Sequence, residues 1–289
     1  MMNMKKLLCL ALGASLSFSL LAACGGGSAA TPAPETTAPA ETTPAVTEPA
    51  GEAAFTTVEE GKLILSTNSE FPPYEMLADG EGYNGTGLEG IDIEVAGAIA
   101  EKLGLELQID DMGFDAALEA AQNGKSDMVM AGVTITEDRL QVLDFTDSYA
   151  TGVQVVIVKE GSDVTMDNLG EKMIGTQMGT TGFLYASDTP ENGGYGEEHV
   201  IGYDNGAIAV QSLVNGQIDA VIIDDKPAQA YVEANPGLTT LPGEWVVEDY
   251  AIGVAKGNTA LLEAINAAMA ELKADGTFQA IVDKYIKAD

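Results

Sequence analysis

The sequence predicts two α/β lobes of like construction that face each other across a ligand cleft, and three observations predict it. Helix-period and strand-period stretches alternate from about Gly61 onward. An internal repeat is present: Ala117-Leu-Glu-Ala-Ala-Gln-Asn-Gly-Lys-Ser-Asp-Met-Val-Met-Ala-Gly132 recurs as Ala209-Val-Gln-Ser-Leu-Val-Asn-Gly-Gln-Ile-Asp-Ala-Val-Ile-Ile-Asp224, each a helix, an Asn-Gly stop, an Asp and a buried strand. In register Asn123 meets Asn215, Asp127 meets Asp219 and Gly132 meets Asp224, and Leu63 to Asn68 likewise parallels Met173 to Gln177. Finally, 289 residues of which 46% are hydrophobic are enough for a sizeable core and two lobes. Ligands of open α/β sheets sit beyond the carboxyl ends of the strands. Gly132 and Asp224 are therefore expected to look across one cleft.

The chain begins with a targeting pattern. Lys5 and Lys6 precede an apolar run from Leu7 to Ala23 that ends in Leu21-Ala-Ala-Cys24-Gly. That ending resembles the lipobox of bacterial lipoproteins, which implies cleavage before Cys24 and lipid (palmitate among it) on that residue. A plain membrane anchor is disfavoured, because the apolar run is marginal for a span. Cys9 then leaves with the signal, and no thiol remains for a disulfide, a metal or a nucleophile. From Gly25 to about Thr57 the chain is Gly, Ser, Ala, Thr, Pro and Glu, too poor in large apolar residues to fold, and reads as an extended tether. The expected organisation is 1–23 signal peptide, 24–57 lipid-anchored disordered linker, 58–150 with 251–289 the first lobe, and 151–250 the second.

Leu63 to Thr67 reads as the first strand and Asn68-Ser-Glu-Phe-Pro-Pro-Tyr74 as the loop at its end, stiffened by Pro72 and Pro73. Ile91 to Leu103 has helical periodicity and stops at Gly104. Leu105 to Ile109 is the next strand, with Met112-Gly-Phe114 as its exit. The repeat helix follows, then the buried run Asp127 to Met130. Tyr149 to Lys159 carries the chain into the second lobe. Met173 to Gln177 is a strand, and Met178-Gly-Thr-Thr-Gly182 leads into a helix without the Gly-Lys-Ser/Thr ending of a phosphate loop. The stretch from Tyr185 to His199 reads as a surface loop with His199 exposed. Asp225-Lys-Pro227 opens a helix by capping and Asn235-Pro-Gly237 ends it. Val246 to Val254 is a second crossover, and helices over Thr259–Ala274 and Thr277–Ile286 close the chain.

The stretch Ala131-Gly-Val-Thr-Ile-Thr-Glu-Asp-Arg139 carries the chemistry. Small residues end a strand, Thr134 and Thr136 add hydroxyls, and Thr136 with Glu137 and Asp138 reads as the cap and acidic first turn of a short helix that bears Arg139. Open amides, a hydroxyl and a guanidinium fork suit a small carboxylate. Followed by Asp144-Phe-Thr-Asp-Ser-Tyr149, this stretch resembles the signature of bacterial amino-acid solute-binding proteins of ABC importers, and the resemblance runs from about Gly61 to Lys287. It implies a periplasmic-binding-protein-like fold with two hinge strands between the lobes. It also implies a site in which Arg139 grips the α-carboxylate and Asp224 the ammonium, Ala131, Gly132 and Thr134 complete the polar shell, and Phe71 and Phe114 wall the side-chain pocket. Thr180 and Thr181 match the family's loop in the second lobe. Asn68 stands where many members have an acid, and with Gln177 it favours a polar, amide or cationic ligand side chain. Glu70 faces such a side chain or solvent.

Thirteen basic against forty-five acidic residues give a formal net charge of -32, which disfavours nucleic acid. No cofactor, metal or catalytic residue is expected. The expected protein is a monomeric receptor outside the cytoplasmic membrane, held there by lipid or free in the periplasm, that delivers an amino acid to an ABC permease. The alternatives are an enzyme on the same fold, similar to cyclohexadienyl dehydratase, for which Glu70 or Asp115 would be the acid, and a ligand-binding sensor domain.

Overall fold

The computed structural model describes residues 55–287. The leader, Cys24 and nearly all of the tether lie outside the described residues. Among the described residues no helix is long and apolar enough to cross a membrane.

The chain opens with β1 (Lys62–Thr67) and a small three-stranded sheet of β2 (Glu70–Phe71), β3 (Glu75–Leu77) and β4 (Leu88–Glu89). Then come α1 (Ile91–Lys102), β5 (Glu106–Asp111), α2 (Phe114–Gln122), β6 (Met128–Val129), α3 (Glu137–Val142) and β7 (Leu143–Phe145). The long β8 (Ala150–Lys159) leads to β9 (Ile174–Gln177), α4 (Thr181–Ser187), β10 (Val200–Tyr203), α5 (Gly206–Val214), β11 (Ala220–Asp224), α6 (Asp225–Ala234), β12 (Leu238–Thr240) and β13 (Val246–Tyr250). The chain then returns through β14 (Gly253–Ala255) to α7 (Thr259–Ala274) and α8 (Thr277–Tyr285).

Two main sheets result, one per lobe. The first has the order β5-β1-β6-β14-β7, and the second β10-β9-β11-β8-β12, with β13 also on β8. Within each, the strands of the repeat run parallel (β1 with β5 and β6, β9 with β10 and β11), while β14, β8, β12 and β13 run antiparallel to their neighbours. Successive side chains of a strand face opposite sides of its sheet. Along β11, Val221 and Ile223 join one apolar cluster while Ala220 and Ile222 join another, and Met128 and Val129 of β6 divide in the same way. Both faces of each sheet are thus covered, and this is why these strands read as unbroken apolar runs.

The crossovers pair with each other: β8 and β13 form an antiparallel ribbon in which Ala150 faces Tyr250 and Gln154 faces Val246. The two expected hinge strands are thus hydrogen-bonded to each other. Two local expectations change. Helix α6 begins at Asp225 with Asp224 at its N-cap position and no side-chain cap, because the Asp224 carboxylate is used elsewhere. The 185–199 stretch is not a bare surface loop: Tyr195 stacks on Trp245 at 5.9 Å, and His199 is half-buried.

The repeat has a physical purpose at its Asp positions. Asp127, 3% exposed, accepts the amides of Val58 and Ile64, both at 2.7 Å, and Asp219 accepts that of Met173 at 2.9 Å. Each carboxylate thereby fixes the start of the neighbouring parallel strand. Bonds to a charged acceptor contribute about 1.5–3 kcal/mol, and an orphaned buried amide costs about as much again as an ordinary bond. Asp127→Ala should therefore lower the unfolding free energy by about 2–4 kcal/mol, and the same change at exposed Asp219 by less than about 1.5 kcal/mol. Equal losses in urea titrations of the two variants would show that burial does not set the difference.

Candidate functional site

The ends of β1, β6, β9 and β11 converge where the two lobes meet, and the space between them is a pocket of about 330 Å³. Space for the centre of a water-sized sphere within it is only about 20 Å³, room for little more than one water, so the lobes are closed down on each other. Twelve residues line it: Asn68, Phe71, Phe114, Ala131, Gly132, Thr134 and Arg139 with Glu75 from the first lobe, and Gln177, Thr180, Thr181 and Asp224 from the second. All eleven cleft residues named from the sequence are brought together here; Glu75 joins them.

The lobes stand shut. Gln177 Nε2 donates to Asn68 Oδ1 at 2.9 Å across the cleft, and Asn68 Nδ2 donates to the Met112 carbonyl at 3.0 Å. These two strand-end amides are thus partly spent on each other. Glu70 is exposed and does not line the pocket: its carboxylate accepts from Asn205 Nδ2 at 2.9 Å and its carbonyl from the Tyr231 hydroxyl at 3.0 Å. It is a latch between lobes.

Thr136 caps α3 by accepting the Arg139 amide at 3.2 Å, which fixes where the Arg139 side chain leaves the helix. The guanidinium then donates through Nη1 to the Thr134 carbonyl at 2.9 Å and through Nη2 to the Gly179 carbonyl at 3.2 Å, and lies 5.4 Å from the centre of the Phe114 ring. Of its five N–H groups, three remain for a ligand. Burial lowers the Arg139 pKa, and the strongest opposing influence is the charge of Glu248. Gly179 has φ +77°, and a Cβ there would stand 1.7 Å from the Asp115 carboxylate of the other lobe, so the closed arrangement needs glycine at this point.

Asp224 is 7% exposed at the end of β11. Its Oδ1 accepts the Tyr250 hydroxyl and its Oδ2 accepts Gln154 Nε2 at 2.8 Å. Burial pushes its pKa up from 3.8 to about 7, offset in part by the Tyr250 bond and reinforced by the nearby charge of Glu248. Glu75 is fully buried in β3, opposite Phe71; no N–H or O–H of the protein donates to its oxygens, and its carboxyl stands within hydrogen-bond reach of the Asp92 carboxyl, so the proton it keeps is shared with Asp92. Burial raises its pKa well above the ordinary carboxyl value, with the charge of Asp92 adding to the effect.

Four expected donors are already engaged, the Thr134 hydroxyl among them, which donates to Glu248 Oε2 at 3.1 Å. The Gly132 amide, expected to hold a ligand carboxylate, donates to Asp92 Oδ2 at 3.0 Å, because buried Asp92 must be solvated from within; the Tyr149 hydroxyl, at 2.8 Å, is its other donor. The Thr180 hydroxyl donates to the Gln177 carbonyl at 2.7 Å and caps α4. Thr181 donates to Glu248 Oε2 at 2.8 Å. Phe71 packs beside Gly132, where φ is +55° and a Cβ would lie 2.7 Å from the ring. Tyr74 stays in the core, edge-on to Tyr250 at 5.4 Å.

Glu75, Glu248 and Gln154 are the residues that sequence reasoning missed. The one available signal was Glu75 directly following the Phe71-Pro-Pro-Tyr74 loop. Among the described residues no group of His, Cys, Asp and Glu is arranged to hold a metal.

Comparison with known proteins adds an independent line. The sequence profile of the bacterial extracellular solute-binding proteins, family 3, matches residues 63–288. A probable histidine-binding protein of Neisseria gonorrhoeae is 31% identical over 296 residues, covering 98% of this chain and 96% of that one. The ABC transporter arginine-binding protein 1 of Escherichia coli (strain K12) is 31% identical over 78% of this chain and 90% of its own length. Among solved structures, an ancestral arginine-binding protein bound to arginine superposes with a TM-score of 0.71 at 39% identity, covering 78% of this chain and 98% of that one.

The buried carboxyls make stability depend on pH. A carboxyl whose pKa is 3.8 unfolded and about 7 folded binds its proton more tightly when folded, so stability is highest below about pH 4 for that group and falls as pH rises to about 7. Asp92, raised by burial to about 6, acts in the same direction. Ligand-free protein should therefore lose stability between pH 5 and pH 7.5, and Asp224→Asn should reduce that slope by up to about 1.4 kcal/mol per pH unit. An unchanged slope in denaturant titrations of Asp224→Asn would remove Asp224 as the proton-holding group.

Proposed function

The chain belongs to the bacterial extracellular solute-binding proteins, family 3, and from that premise we propose that it captures an amino acid with a cationic side chain, arginine above all, and hands it to an ABC permease. The observation that carries the choice of ligand is Glu75. Two carboxyls, Asp224 and Glu75, and one guanidinium, Arg139, line the pocket; once a cation entering beside them draws off the protons that burial makes them hold, they carry one negative charge more than the guanidinium balances. A cationic amino acid brings two positive charges and one negative, and matches all three.

The roles follow from the geometry. Arg139 meets the α-carboxylate with its free N–H groups, Thr134 lying beside it. Asp224 meets the ammonium, and a cation there lowers its pKa and drives off the proton it holds when the pocket is empty. The side chain runs between the Phe71 and Phe114 rings toward Glu75, with Asn68 and Gln177 as its amide edge. Each charge of the ligand is then paired, without which its burial would cost several kcal/mol. Thr180, Thr181, Ala131 and Gly132 shape the wall more than they bind. The lobes are 58–150 with 251–289 and 151–250, and they open about the β8–β13 ribbon by hinge bending. We assign no catalytic step to the site. Cys24 is the lipid anchor, which mass spectrometry of the N-terminal peptide checks.

Calorimetry with the processed chain tests the ligand. Arginine should bind at least about tenfold more tightly than glutamine. Loss of one member of a desolvated charge pair costs about 2–5 kcal/mol, roughly thirty- to several-thousand-fold. Glu75→Gln should therefore lose that much affinity for arginine and far less for glutamine, whereas Arg139→Met should lose both. Glutamine binding more tightly than arginine to the unaltered protein would overturn the ligand assignment, and no amino acid binding at all would overturn the function.

A further inference from the structure

We propose that Glu248, which does not line the pocket, is the positioning residue that couples closure of the lobes to ligand retention, by taking a hydroxyl from each lobe on one carboxylate oxygen. The inference rests on the amino-acid-receptor reading above. Glu248 lies in β13 of the connecting ribbon, opposite Gly152 of β8, and is 5% exposed. Its Oε2 accepts the Thr134 hydroxyl of the first lobe at 3.1 Å, the Thr181 hydroxyl of the second lobe at 2.8 Å, and Gln154 Nε2 at 3.1 Å. Gln154 is also the donor to Asp224, and Thr134 also supplies the carbonyl that orients Arg139. One buried carboxylate thus reaches both of the proposed charge contacts of the ligand without touching the ligand itself.

The geometry discriminates between states. Thr134 follows β6 of the first sheet and Thr181 begins α4 of the second lobe, so opening about the ribbon separates the two hydroxyls. A carboxylate fixed on the ribbon cannot keep both. The closed state then holds a charge-assisted bond that the open state lacks, and an interaction made in one of two states shifts their populations by its whole strength. Burial without a partner on Oε1 makes that loss matter: an open cleft must rehydrate the group or leave it orphaned. The same charge is the strongest electrostatic support for the buried Arg139 cation.

Glu248→Asp separates reach from charge, because aspartate keeps the charge but is shorter by one carbon–carbon bond, about 1.5 Å. Stopped-flow measurements with arginine, read on the fluorescence of Trp245, should give an association rate within threefold of the unaltered chain and dissociation at least about tenfold faster. The ligand-free thermal midpoint should stay within about 2 °C, since each lobe keeps its own core. Thr181→Val should reproduce the faster dissociation, Thr181→Ser should restore it, and Thr181→Val should add little on top of Glu248→Asp, because both remove one bond. Dissociation unchanged in Glu248→Asp, or full multiplication of the two effects, would overturn the coupling. If Glu248→Asp fails to fold, equal dissociation rates for Thr181→Val and Thr181→Ser overturn it instead. An unaltered chain that binds no amino acid brings down the receptor reading and this inference together, whereas normal binding with an unaffected Glu248→Asp brings down this inference alone.

Discussion

Everything in the cleft is arranged around one cation among several acids, all held out of water. Arg139 sits against the Phe114 ring, with carboxyls of Asp224, Glu75 and Glu248 in its surroundings or behind the pocket wall. A buried charge is tolerable only if paired or neutralised. The protein meets that demand in three different ways. Asp224 takes two donors from the ribbon, Glu248 takes three, and Glu75 takes none and has its pKa driven up instead. The unequal treatment is informative. Asp224 and Glu248 accept from protein donors on at least one oxygen, while Glu75, which lines the pocket, receives no protein donor on either.

The architecture explains how such a set can be assembled at all. Parallel strands that end in polar residues, Asn68 and Gln177 in particular, point those ends at a common line. Helices covering both faces of each sheet leave the strand ends as the available edge. The ribbon then threads behind that line, so that its inward-facing residues, Gln154, Glu248 and Tyr250, contact both halves. A hinge built from two hydrogen-bonded strands bends as a unit, and a side chain on it can sense both lobes.

Much of this is legible in the sequence because it depends on periodicity and on strand ends. The repeat locates the ends of β6 and β11, and hence Gly132 and Asp224; the Thr136 cap and acidic turn locate Arg139. What is not legible depends on tertiary burial of charge. Glu75 sits in a three-residue strand where a carboxyl reads as solvated, and only its packing beneath β2 and α1 buries it. In β13 the alternation is inverted: Val247 is 59% exposed while Glu248 and Tyr250 are buried. Hydrophobicity alone points that strand the wrong way. The engagement of the Gly132 amide is hidden for the same reason, since its acceptor Asp92 is forty positions away and reads as the acidic first turn of α1.

The unsatisfied state of Glu75 bears on selectivity as much as on affinity. A neutral side chain entering the pocket leaves that carboxyl with two options. It can ionise with no partner in a buried place, which costs several kcal/mol. It can instead keep its proton and offer a neutral hydroxyl, which an amide side chain is able to accept. A cation removes the dilemma and converts the raised pKa into binding free energy, at a rate of about 1.4 kcal/mol for each unit by which the carboxyl is pulled back down. Sites that discriminate strongly do so by leaving their own polar groups unpaired with the wrong ligand. Under the proposed reading Glu75 supplies that penalty against apolar side chains outright and against amides in part, and the order cation, amide, apolar follows from a single carboxyl to which the fold gives no donor.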